Sequence, residues 1–210
     1  VLAGGADVLT FELLAGFHAL GVLTRETVQP FGLVKGTSLG EGAGFVVLER
    51  RVEAAARTRA ALLGYGLSGD AYHETSPEPR GRGVVHATRA ALRDANVDVR
   101  GVGYVNLHGT GTEANDPAEC VAMREVFGAD DVQHVAFSST KGHLGHAQGA
   151  AGVLELIATL EALSHGHVPG TAGLETLRPG IALPVLGASR AVTDTGAPFL
   201  SCNSAFAGSN

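Results

Sequence analysis

The chain has 210 residues, 45 % of them apolar, with 30 glycines and a formal net charge of −6. That length buries a sizeable core in one or two layered domains, and an acidic balance without a basic block argues against nucleic acid as a partner. Two cysteines, Cys120 and Cys202, form neither a disulfide framework nor a CxxC metal site, so a reducing, cytoplasmic setting is expected; no apolar run reaches the roughly twenty residues of a membrane span.

In chain order, residues 1–3 read as the end of a strand and Gly4–Gly5 as a turn. Residues 8–20 carry Val8, Leu9, Phe11, Leu13, Leu14, Phe17 and Leu20 at helical spacing, with Gly21 as the stop. A long ordered loop over 24–44 leads into a strand at 45–48. The GxGxG of Gly40, Gly42 and Gly44 is weak evidence for a nucleotide site, because in such sites the strand precedes the loop. A charged, alanine-rich helix is expected at 50–59 and a strand at 62–67. The loop 71–82 offers Tyr72, His73, Thr75 and Ser76 to line an entrance. A helix over 83–95 has Val84, Ala87, Ala91 and Leu92 on its apolar face, Thr88 among them, and Asn96 as its end signal.

A strand at 102–107 is followed by a glycine-rich turn and a helix. Asp116 is expected either as the N-cap of that helix, with Pro117 in its first turn and Glu119 completing a capping box, or as a clamp on the loop before it. A strand at 134–137 precedes a polar tip, and 149–164 reads as an almost wholly buried helix. Residues 165–180 are expected as a surface connection, with short strands at 181–186 and 198–202. Strands alternate with helices from end to end, which predicts an α/β fold with helices covering a mixed sheet.

Two strand ends carry polar residues able to meet in one pocket, the usual presentation of chemistry in α/β folds. The first gives His108, followed by Thr110 and Thr112 between glycines. His108 is either a proton-handling or hydrogen-bond-donating residue or a simple cap on its strand. The second gives Lys141, His143 and His146. These two histidines with His108 can be written as a zinc site, but Lys141 would repel a cation and no HExxH pattern is present. The other reading is an electrophilic cluster of neutral histidines that donate hydrogen bonds to a carbonyl or enolate oxygen. Glu155, inside an apolar helix, needs a partner; Lys141 is the candidate, the alternative being a solvent channel. Phe206 is either a pocket wall or gate, or an ordinary buried anchor. Neither Cys120 nor Cys202 sits where a strand turns into a helix, the setting that activates a thiol, and both are read as structural.

With these residues in hand, the chain resembles the β-ketoacyl-acyl-carrier-protein synthases, condensing enzymes of the thiolase-like fold. The resemblance is carried by GEGAGFVVLE (40–49), DAYHETSP (70–77), YVNLHGTGTEANDPAE (104–119), SSTKGHLGHAQGAAGVLE (138–155) and CNSAFAGSN (202–210). It implies a layered αβαβα fold, with 1–60 the end of an N-terminal half and 61–210 a C-terminal half lacking its last strand. It implies that His108 and His146 hydrogen-bond a malonyl thioester carbonyl and favour decarboxylation, that Lys141 is the active-site lysine and Glu155 its partner, and that Phe206 is the gating phenylalanine. Thr110 and Thr112 stand beside them as substrate-side residues, and His143 is secondary. The nucleophilic cysteine of the family would precede Val1, so a cysteine-bearing segment or partner chain is expected.

The implied activity of the assembly is decarboxylative Claisen condensation in fatty acid or polyketide synthesis. An acyl carrier protein would be the partner, in a homo- or heterodimer, with no cofactor and no metal. The alternative is a non-catalytic, chain-length-factor-like or scaffold subunit. Two stretches depart from the family pattern: QPFGLVKGTSLGEGAG, where a basic, aspartate-containing run is usual, and the shortened NSAFAGSN.

Overall fold

The computed structural model describes residues 1–50 and 58–210. The helix expected at 50–59 falls largely outside them. The first sheet pairs β1 (Leu2–Asp7) with β2 (Gly42–Val47) antiparallel, from Leu2 opposite Val47 to Asp7 opposite Gly42. Gly4 and Gly5 are therefore not a turn but mid-strand residues. Their missing side chains serve close packing: a Cβ on Gly5 would lie 3.2 Å from the Gly149 carbonyl carbon and 3.3 Å from Ala150 Cα.

Helix α1 (Phe11–Ala19) starts at Thr10, whose hydroxyl accepts the Leu13 N–H at 3.2 Å, and Gly21 follows it with φ of 68°. Only Phe17 of its apolar residues is buried. Phe11, Leu14 and the flanking Val8, Leu9 and Leu20 are exposed.

The chain then continues through α2 (Arg82–Ala95), β3 (Tyr104–Asn106), α3 (Asn115–Asp131), β4 (Ala136–Ser138), α4 (Lys141–Leu144), α5 (Ala151–Ser164), β5 (His167–Val168), β6 (Arg190–Ala191) and β7 (Phe199–Ser201). The central sheet has the order β4-β3-β7, all parallel, and β5 pairs with β6 antiparallel. Helix α2 buries Val84, Thr88 and Leu92 and ends on Asn96 in the left-handed conformation, as its pattern predicts, but it also buries Val85 and leaves Ala87 and Ala91 half-buried. With α3 and β3 these residues form the main core, which includes Val105, Leu107, Met123, Phe127, Val132 and Phe137. Each such side chain contributes about 1.5–3 kcal/mol by leaving water.

Several expectations are corrected. Residues 62–67 form no strand. They run against α2, where a Cβ on Gly64 would lie 2.9 Å from Ala91 O and one on Gly66 2.6 Å from Ala91 N; sheet pairing appears only where Gly69 bridges Ser209. Residues 181–186 are no strand either, only a bridge from Val185 to Phe137. The connection 165–180 is not all surface: it holds β5, and Thr171 and Arg178 are buried. Helix α5 buries only Ala151, Glu155 and Thr159, so its buried stripe is its polar one. Its aliphatic side reaches β2 instead, where a Cβ on Gly44 would meet Val153, Leu154 and Ile157 side chains at 3.1–3.3 Å.

Candidate active site

The parallel strands β3 and β4 end side by side, Asn106 opposite Ser138, and the chain leaves each toward the same place. Backbone hydrogen bonds from carboxylates on α3 shape the first exit. Glu119 accepts the N–H of His108 at 2.6 Å and that of Gly109 at 2.9 Å. Asp116 accepts the N–H of Gly111 at 3.1 Å and that of Phe31 at 2.7 Å. The capping-box reading of these two acids is thereby corrected. Ala114 is the N-cap of α3 and makes no side-chain cap bond, while both carboxylates reach out of the helix to the turn before it. Burial pushes the Glu119 carboxyl up to about 7, against the two N–H donors that favour its charged form.

The second exit is fixed by Ser139, whose hydroxyl donates to Gly109 O at 2.8 Å and whose N–H donates to Thr171 Oγ1 at 3.0 Å. Lys141 then opens the short helix α4. Gly145, with φ of 68°, ends that helix before His146. His146 is stitched to the loop before β2: its N–H donates to Ser38 O at 2.7 Å and its carbonyl accepts from Gly40 at 3.0 Å.

His108, Lys141, His146 and Glu155 come together. The two imidazole rings meet edge to face, centroids 5.2 Å apart at 85°. Lys141 is 1 % exposed; its ammonium stands 3.5 Å from His108 Nδ1 and forms a buried ion pair with Glu155. A lysine ammonium only donates, so His108 Nδ1 accepts and its proton resides on Nε2. His146 Nδ1 accepts the Gln148 N–H at 3.3 Å, which likewise leaves a proton on Nε2. Burial, then the charge of Lys141, lowers His108 well below the ordinary imidazole value and His146 to about 3. Both rings are neutral donors at neutral pH. Burial raises Glu155 and the Lys141 charge opposes that rise.

Other sequence candidates fall around this cluster. Thr110 and Thr112 share a hydroxyl hydrogen bond of 2.9 Å on the loop after His108. Phe206 is 48 % exposed and stacks on Phe17, centroids 5.6 Å apart, so it is not a buried anchor. His143 is exposed on α4, outside the cluster. Among the described residues no group of three or more His, Cys, Asp or Glu is disposed to hold a metal ion. Both cysteines are free, and burial pushes the Cys202 thiol up to about 12 and raises that of Cys120.

Sequence reasoning missed part of the support. Asn106 donates to Thr140 Oγ1 at 3.2 Å and Thr159 Oγ1 at 3.3 Å, and Asn203 hydrogen-bonds toward His108 and Glu155. Asn106 and Asn203 both lie in the quoted motifs, yet nothing local marks which way their amides turn.

Parallel strands ending in paired imidazoles, with a lysine behind them, define a thiolase-like condensing-enzyme architecture. Residues 59–175 match the family model described as "Beta-ketoacyl synthase, C-terminal domain", and the chain belongs to the β-ketoacyl synthase family. It is 39 % identical to 3-oxoacyl-[acyl-carrier-protein] synthase 2 of Vibrio harveyi, over all of this chain and 53 % of that protein. It superposes on the ishigamide ketosynthase/chain length factor with a TM-score of 0.91 and 37 % identity, covering 100 % of this chain and 51 % of that one. A type II ketosynthase solved with its acyl-carrier protein gives a TM-score of 0.92 at 29 % identity, covering 99 % of this chain and 53 % of that one. The chain thus spans about half the length of the relatives it matches.

Proposed function

We propose that this chain supplies the decarboxylating part of a β-ketoacyl synthase site, residues 1–60 ending one thiolase-like half and 61–210 forming most of the other. The observation that carries the reading is the pair of imidazoles meeting edge to face beside a buried lysine, each with its Nδ1 turned to a donor. Loss of carbon dioxide from a malonyl thioester leaves its electron pair on the thioester as an enolate. Two pre-set N–H donors stabilise the oxygen where that charge develops, and they need no reorganisation during the step. The resulting carbanion attacks an acyl thioester, whose thiolate leaves.

The acyl carrier would be a cysteine, and the two thiols of this chain do not suit that role. Cys120 is buried and Cys202 half-buried, both thiols are raised and stay protonated at neutral pH, and the nucleophilic form is the thiolate. The complete site therefore draws its cysteine from another segment or a partner chain. Phe11 and Leu14 on α1, Phe45 and Val47 on β2, and Val8 between β1 and α1 are exposed apolar side chains that such a neighbour could cover. The names of the relatives, a 3-oxoacyl-[acyl-carrier-protein] synthase, a ketosynthase/chain length factor and a ketosynthase in complex with its acyl-carrier protein, support an acyl carrier protein and a second subunit as partners. No helix among the described residues is long and apolar enough to cross a membrane.

A second reading has its own support: the likeness to a ketosynthase/chain length factor and the raised, unreactive thiols favour a non-catalytic partner subunit. Replacing His146 with alanine in the native assembly separates the two. The first reading expects decarboxylation of malonyl carrier protein to fall by a hundredfold or more, in the range of removing one oxyanion donor. Unchanged decarboxylation and condensation would refute it and leave the chain-length-factor reading standing.

A further inference from the structure

The N–H that meets His146 Nδ1 at 3.3 Å belongs to Gln148, and local sequence does not favour Gln148 in the conformation it takes. Its φ is 46°, in the left-handed region that a residue with a Cβ rarely adopts. Within the turn, one backbone bond closes it, from the Ala150 N–H to Ala147 O at 2.8 Å. A residue in so sparse a region persists where the surrounding structure over-determines it. The holding groups therefore have to come from outside the turn.

One of them comes from the other end of the sequence. Asp7 is the last residue of β1, paired opposite Gly42. Its Oδ2 accepts the Gly149 N–H at 3.0 Å and its Oδ1 accepts the Val8 N–H at 3.0 Å, so both oxygens are engaged and the carboxylate has a fixed orientation. The approach is close enough that a Cβ on Gly149 would lie 3.2 Å from Asp7 Oδ2. The peptide between Gln148 and Gly149 is thereby anchored to the first sheet, and Gln148 spans from that anchor to the imidazole. The carboxylate also acts on the ring as a charge: burial and then Lys141 lower His146, and Asp7 opposes both.

We propose that Asp7 is a positioning residue for His146: by holding the Gly149 N–H it keeps the Gln148 turn in its left-handed form, and so keeps the His146 proton on Nε2. That this proton then serves a developing oxyanion rests on the decarboxylation reading given above. Control of the tautomer does not rest on it. The bond and the charge are separable, because asparagine at position 7 keeps an acceptor oxygen without the charge and alanine keeps neither.

The test reads the tautomer directly, without substrate. The chain and its Asp7→Ala and Asp7→Asn variants are labelled isotopically at the histidine ring nitrogens. Nitrogen spectra at neutral pH then give the Nε2–H to Nδ1–H ratio of His146, assigned with His146→Gln. His108, whose Nδ1 faces Lys141, is the internal control. In Asp7→Ala the His146 ratio should move about fivefold toward Nδ1–H, the worth of one hydrogen bond, while that of His108 stays unchanged. Asp7→Asn should keep the ratio of the unaltered chain. An unmoved ratio in Asp7→Ala, an equal shift at both histidines, or an asparagine variant that behaves as the alanine one each overturns the assignment. Failure of the decarboxylation reading shows elsewhere, as unchanged turnover in His146→Ala, and leaves the tautomer result standing. Should Asp7→Ala not fold, Asp7→Val, a better strand former that also lacks an acceptor, is read by the same measurement against the same two limits.

Discussion

A lysine ammonium buried beside two imidazoles is unfavourable unless a carboxylate answers it, and Glu155 does so from the buried stripe of α5. Breaking a buried pair from one side leaves a stranded charge. Lys141→Met should therefore destabilise the chain by about 3–5 kcal/mol in chemical denaturation, and Lys141→Met/Glu155→Leu should recover most of it. His146 makes a separate pH prediction. Its folded value, about 3, lies below the ordinary 6.5, so the unfolded chain binds the proton first as pH falls. The stability contributed by neutral His146 is fully present above about pH 6.5 and is lost as pH drops toward 3. His146→Gln should thus gain about 2 kcal/mol relative to the unaltered chain between pH 7 and pH 4.5, measured by denaturant melts at both. The comparison with the variant matters because the raised Glu119 titrates with the opposite sign in the same window. The four clustered side chains were legible in the sequence because each stands at a strand end or inside an apolar helix. Of the two readings open for Asp116, helix cap or loop clamp, the structure takes the clamp, and Glu119 was misread because its spacing from Asp116 fits a capping box equally well. Which N–H groups a carboxylate meets depends on a loop whose path has no local code.

Among the elements, the glycines of the first sheet and the small residues around α5 do related work. Gly5 and Gly149 bring β1 against the turn that follows His146, while Asp7 accepts the Gly149 N–H at 3.0 Å. Gly5→Ala should cost about 1–3 kcal/mol through overpacking, and should shift the His146 ring resonances while sparing those of Val105. Thr159 offers a milder test. Thr159→Val removes one acceptor from the Asn106 amide and should cost about 1 kcal/mol in the same denaturation assay. Periodicity predicted the existence of α1, α2, α3 and α5 but not which face of α5 would be inside. Its aliphatic side reaches β2 only because the glycines there leave room, and that complementarity spans more than a hundred positions of sequence. The expected strands at 62–67 and 181–186 failed for a related reason. A β-rich segment becomes a strand only where a partner answers its N–H and carbonyl groups.

At the scale of the whole molecule, apolar side chains left in water decide how the chain behaves in solution. Val1 just before β1, Phe11 on α1 and Val47 on β2 are 87 %, 80 % and 68 % exposed. The isolated chain should associate as its concentration rises, with sedimentation velocity reporting the larger species, and Phe11→Ser/Val47→Thr should restore monomer. The alternation of strands and helices made the α/β class readable, and the family motifs supplied the thiolase-like architecture. What the sequence did not display is how residues far apart share the site. His108 hangs from α3 through Glu119, whereas the His146 backbone is sewn to Ser38 and Gly40.

That stitching ties readiness for chemistry to completion of folding. A copy in which 36–40 has not docked lacks both backbone anchors of His146 and one hold on the loop after His108, so the two rings are not brought together. Under the function proposed above, half-built molecules would leave the malonyl supply untouched, and only a finished one would draw on it.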